Sequence, residues 1–138
     1  MPKTMTYLVG AAAMVALGAA ASATDYGALR ADSRVQGELL GASMAYIVDE
    51  QCPTIKLRRF KLVTYALSLN SYAKRLGYSG KEVEAYVNDP DEQARFRAQA
   101  LEVLLEMGAE QENAASFCEV GRAEMEKGTY VGSILKGG

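Results

Sequence analysis

Asp89-Pro90-Asp91-Glu92-Gln93-Ala94-Arg95-Phe96-Arg97-Ala98-Gln99-Ala100-Leu101-Glu102-Val103-Leu104-Leu105-Glu106-Met107 is the stretch on which the fold turns. Asp89 is placed to cap a helix whose first residue is Pro90, and Asp91 and Glu92 put negative charge where the helix dipole favours it. On a helical wheel Arg95, Gln99, Glu102 and Glu106 gather in one narrow polar strip. Ala94, Ala98, Leu101, Leu104 and Leu105 flank it on one side, and Phe96, Ala100, Val103 and Met107 on the other. The apolar arc spans about 220°, at 100° per residue. A helix apolar over so much of its circumference sits between other elements. Arg97 falls inside that arc, so it has to snorkel, pair with an acid or face a partner.

Helical spacing extends in both directions. Ser33 is a plausible N-cap for a helix carrying Val35, Leu39, Ala42 and Tyr46 in one row and Leu40, Met44 and Ile47 in a second. It ends near Glu50, because Pro53 disfavours helix just before it. Thr24 to Asp32 reads as a loose lead-in. A second helix runs from about Thr54 to Leu76, with Gly77 as its stop; Phe60, Val63 and Leu67 form its shorter apolar row. Tyr46, Tyr65 and Tyr72 lie on inner rows, where core packing accounts for them. Ser79 and Glu82 have capping-box spacing and open a short helix through Val87. The last helix starts at Asn113 or Ala114 and stops at Gly128, and Tyr130, Val131, Ile134 and Leu135 dock as a short turn. No alternating strand pattern is apparent. The expected fold is all-α, a compact domain of four or five helices.

Residues 1–23 have the three-part layout of a secretory leader: a short polar start with Lys3, the apolar run Tyr7 to Ala20, and Ala21-Ser22-Ala23 as an A-x-A cleavage pattern. A helix needs about 20 apolar residues to cross a bilayer, and this run is shorter and rich in Ala and Gly. The division is therefore a leader over 1–23 and a helical domain over 24–138, with no membrane span in the mature chain and a periplasmic or secreted location. In an oxidising compartment Cys52 and Cys118 are expected to pair. Their separation argues for a structural disulfide over a redox pair, which uses closely spaced thiols.

The 138 residues carry a formal charge of −2, with 15 Lys and Arg against 17 Asp and Glu. Without Lys3 the domain has 14 against 17. That gives no basic field for nucleic acid. The chain has no His, which removes the commonest acid/base near neutral pH and the commonest transition-metal ligand. Serine nucleophiles lack a His partner, no spacing favours a Ser–Lys pair, and no carboxylate pair is singled out. No catalytic residue, cofactor or metal ligand is expected. Glu102, Glu106 and Glu110 read as a solvated face, and capping explains Asp89, Asp91 and Glu92. Lys56, Arg58, Arg59 and Lys61 form a basic cluster with two readings, a solvated face or a contact for anionic lipid headgroups or an acidic partner. Arg97 joins them as a partner-contact candidate.

Phe117-Cys118-Glu119-Val120-Gly121-Arg122, followed by Gly128-Thr129-Tyr130-Val131-Gly132-Ser133-Ile134-Leu135, resembles a domain-of-unknown-function family of small exported alphaproteobacterial proteins. The resemblance extends over most of the mature chain and implies no activity and no functional residue. The leading expectation is a non-enzymatic binding or accessory protein of an envelope assembly, with an unknown protein partner, self-association or a peripheral membrane contact covering its surplus apolar surface. A small periplasmic chaperone that opens in acid is the second expectation. An enzyme using carboxylates ranks last.

Overall fold

The computed structural model describes residues 23–138; the leader expected at the N-terminus lies, up to residue 22, outside the described residues. The elements in order are α1 (Gly27–Ala31), α2 (Ser33–Gln51), β1 (Ile55–Leu57), α3 (Arg59–Arg75), α4 (Gly80–Val87), α5 (Pro90–Glu106), α6 (Ala114–Lys127), α7 (Tyr130–Ser133) and β2 (Leu135–Gly137). The architecture is mostly helical, with five longer helices and two of about one turn.

Most caps are as expected. Ser79 and Glu82 close a full capping box at α4. The Asp89 carboxylate accepts from the Asp91 and Glu92 amides with Pro90 in the first turn. Gly128 ends α6 in the left-handed region. At α2 the cap is Asp32 rather than Ser33: its side chain accepts from Val35 N–H at 2.9 Å. The segment before it is not loose. α1 buries Leu29 in a small core with Val35, Leu69, Ala73, Val83 and Tyr86.

The largest departure lies after Pro53. Residues 55–57 form a strand, not the start of a helix, and pair antiparallel with β2: Ile55 with Gly137, Lys56 with Lys136, and Leu57 with Leu135. Ile55 and Leu57 are buried while Lys56 faces out. Arg58 N–H extends the ladder to the Ile134 carbonyl at 2.7 Å. The chain tail therefore docks as α7 plus a strand.

The main core forms around the Cys52–Cys118 disulfide, which joins the C-cap of α2 to the middle of α6. Val48, Ile55, Leu104, Phe117 and Ile134 belong to the same buried cluster. α2 makes its most extensive packing against α5. α7 lies so close to α6 that a Cβ on Gly132 would collide with the backbone carbonyl of Glu124, so glycine is required there.

α3 bridges the two cores unevenly. Only Leu69 and Ala73, both in its C-terminal half, are fully buried. In its N-terminal half Leu62 and Tyr65 are partly buried, Tyr65 stacking on Tyr130 at 5.1 Å. Between that half, α2 and α4 lies a hollow.

Candidate functional site

The expected basic cluster sits at the β1–α3 junction, and its members differ in state. Lys56 is engaged: its Nζ lies 3.0 Å from the Asp49 carbonyl and 3.2 Å from the Asp49 carboxylate. Burial alone would raise the Asp49 carboxyl, but the Leu57 N–H and Lys56 outweigh it and hold the group below the usual carboxylate range. Arg58 and Arg59 are exposed, and neither they nor Lys61 make an ion pair among the described residues. The strand register adds Lys136 beside Lys56, a cation that sequence reasoning did not place here.

An exposed apolar residue stands among the cations of α3 in the sequence. Phe60, between Arg59 and Lys61, is 93 % exposed. Leu67 is 65 % exposed and Val63 56 %. Residues 60, 63 and 67 recur at i, i+3 and i+7, so they share one face of α3. The second apolar row expected from the sequence is thus real and uncovered. The first turn of α3 has no acid and Arg58 supplies no side-chain cap. Positive charge there is unfavourable with the helix dipole, so local helix stability does not explain these residues. A wider asymmetry surrounds them. From Gln51 to Lys81 the chain has no Asp or Glu and seven of its 15 Lys and Arg, leaving eight cations against 17 acids elsewhere.

The hollow beside this face holds about 510 Å³. Leu39, Ala42 and Tyr46 of α2 form its floor, Val63 and Leu67 line it from α3, and Val87 lines it from α4. Tyr46 therefore does not pack in the core as expected; it stands exposed in the groove. Tyr130 borders the groove, and burial together with the nearby Glu38 charge pushes its phenol up to about 12. The charged residues of the lining are Glu38 and Glu84, both acidic. A second hollow of about 410 Å³ shares Leu39, Ala42, Tyr46 and Val87 and continues past Phe96 to Glu50 and Arg97. Arg97 thus lies at the far end of the groove, away from the basic junction. Its guanidinium makes two hydrogen bonds to Glu50, at 3.2 and 2.5 Å, so pairing satisfies its place in the apolar arc.

A separate polar cluster ties the helices together. Glu92, although nearly buried, accepts from Arg30 and Arg95. Arg95 also donates to Gln36, and Gln36 to the Tyr86 hydroxyl. Every buried side-chain polar atom among the described residues has a partner, so this network is structural. Glu102, Glu106 and Glu110 are exposed. Among the described residues, no group of three His, Cys, Asp or Glu is placed to hold a metal ion, and no helix is long and apolar enough to cross a membrane.

Comparison with curated proteins finds no match, and comparison with solved structures finds none. A family model described as a family of unknown function (DUF5333) matches residues 27–136, from the first described helix to the last strand, and the chain belongs to that family.

Proposed function

We propose that the protein is an exported, non-enzymatic accessory protein that docks on an anionic membrane surface through the N-terminal half of α3. The observation that carries this reading is Phe60, 93 % exposed and flanked in the sequence by Arg58, Arg59 and Lys61, which make no ion pair among the described residues. A basic helix with an outward apolar row is the pattern of an interfacial contact. Each cation near an anionic surface contributes about 1 kcal/mol, and burying a large apolar side chain about 1.5–3 kcal/mol. Together these suffice for a reversible contact. The charge asymmetry supports the orientation, because the acid-rich remainder would face away from the lipid. Export is part of the proposal and draws support from the disulfide, which persists in oxidising compartments.

Vesicle sedimentation tests it. The domain should co-sediment with vesicles containing phosphatidylglycerol and not with pure phosphatidylcholine, and rising salt should release it. Phe60→Ala and Arg59→Glu should each weaken binding at least several-fold without changing the helical circular dichroism. No binding to anionic vesicles at low salt, or binding indifferent to both substitutions, would overturn the reading.

A further inference from the structure

We infer that the outward face of the β1–β2 ribbon is part of the lipid contact, with Lys136 of the C-terminal strand meeting headgroup phosphates. This rests on the membrane reading of α3 and extends it to a second segment of the chain.

Register is the first argument. Lys136 stands directly opposite Lys56 in the antiparallel pair. Arg58 N–H donates to the Ile134 carbonyl and Gly138 N–H to the Thr54 carbonyl, two residues to either side. The two lysines therefore occupy a hydrogen-bonded position of the ladder, where Cα atoms lie about 5.5 Å apart. Their side chains leave the same face of the ribbon. Both are exposed, while Ile55, Leu57 and Leu135 bury the opposite face. Arg58, also exposed, follows Lys56 by two positions and falls on the same side. It caps the start of α3, two residues before Phe60. The ribbon cations and the apolar anchor are thus continuous along the chain.

Charge is the second argument. Like charges directly opposite each other weaken a strand pair. Asp49 compensates Lys56, and Lys136 makes no ion pair among the described residues. Its charge therefore opposes the pairing that positions it. Both strands also come from acid-free stretches, since residues 51–81 and 127–138 contain no Asp or Glu. A layer of headgroup phosphates supplies the missing counter-charge. A second copy of the chain, placed face to face, would bring cation against cation.

The test compares two charge reversals on phosphatidylcholine vesicles containing phosphatidylglycerol, at about 0.1 M salt, where charges separated by more than about 10 Å are screened. Lys136→Gln should weaken binding about fivefold, and Lys136→Glu should weaken it further. Lys81→Glu is the control. It makes the same charge change just past the far end of α3, whose 17 residues span about 25 Å, and it should change binding less than twofold. Lys136→Glu places an acid opposite Lys56, so its urea midpoint should stay level or rise while binding falls. A residue needed only for the fold would lower both together. Should Lys136→Glu and Lys81→Glu weaken binding equally, or Lys136→Glu leave it unchanged, the ribbon lies outside the contact, although wild-type binding and its loss in Phe60→Ala would still support the α3 reading. A wild-type protein that ignores these vesicles would remove both. Binding of a polyglutamate peptide that Lys136→Glu abolishes, with vesicle binding intact, would assign the face to an acidic protein surface and overturn the inference.

Discussion

Glu92 and Arg30 form an ion pair of 2.6 Å between helices whose residues are 62 positions apart, and Arg95 approaches the same carboxylate at 2.8 Å from within α5. Burial alone would push the Glu92 carboxyl up; hydrogen bonds from Arg95 and Arg30 outweigh it and hold it below the usual glutamate value. Asp32 is likewise lowered, by the Val35 N–H and the Tyr72 hydroxyl. A carboxyl lowered on folding stabilises the fold fully above its unfolded value, about 4 for such groups, and loses that contribution as pH falls through the lower folded value. The stability curve should therefore be flat above about pH 5 and fall in stronger acid. Glu92→Gln should cost about 1–2 kcal/mol at neutral pH, discounted because both guanidiniums are half exposed, and should flatten the acid limb. Urea titrations across pH 2.5–7 measure both. A domain already open at pH 5 would contradict this and favour the acid-opening chaperone reading.

The disulfide closes a loop of about 67 residues, for which chain entropy gives about 4 kcal/mol. Cys52 and Cys118 are both buried, one at the end of α2 and one within α6. Reduction should therefore lower the thermal midpoint by more than about 10 °C, since 1 kcal/mol moves a domain of this size by several degrees. Calorimetry with and without reductant, or of the Cys52→Ala/Cys118→Ala protein, gives the shift. An unchanged midpoint would mean that the surrounding core carries the fold without it.

What could be read before the structure was local. Ser79 with Glu82, and Asp89 with Pro90, act within one turn, so their spacing alone specifies the caps. The Cys52–Cys118 bond needed no geometry once two cysteines and an oxidising compartment were assumed. Residues 55–57 could not be read in the same way. Their strand partner, Leu135–Gly137, is far along the chain, and three residues are too few to display alternation. Tyr46 was misplaced for a related reason. Its row on α2 is apolar, but whether that row is covered depends on how closely α3 approaches, and only the C-terminal half of α3 does so. The acid-free run from Gln51 to Lys81 is legible in composition alone, since it takes in Lys74, Arg75 and Lys81 beside the four cations at the β1–α3 junction.

Gly132 and Gly37 should respond in opposite ways to the same substitution. A Cβ on Gly132 meets the backbone of Glu124 and Met125, which cannot move without separating α7 from α6. Gly132→Ala should destabilise by at least about 2 kcal/mol. A Cβ on Gly37, within α2, meets nothing within 4 Å. Gly37→Ala should stabilise by about 0.5–1 kcal/mol through helix propensity. Denaturation midpoints of the two variants make the comparison. Equal effects would show that the close approach of α7 does not hold in solution.

Phe60 and Phe117 separate surface from core most sharply. Phe117 is 2 % exposed within the main core, and Phe60 is 93 % exposed. Phe117→Ala should cost about 3–5 kcal/mol, the usual loss for a buried aromatic. Phe60→Ser should change stability by no more than about 0.5 kcal/mol, because no packed contact is removed. In the proposed lipid contact Phe60 is the apolar anchor, a large ring that stands in water between two cations and contributes little to the fold. Chemical denaturation of both variants, with dye binding to report exposed apolar surface, checks this directly. Phe60→Ser should lower dye binding and leave the midpoint in place. If it lowered the midpoint by as much as Phe117→Ala does, Phe60 would belong to the core, and the lipid contact would lose its anchor.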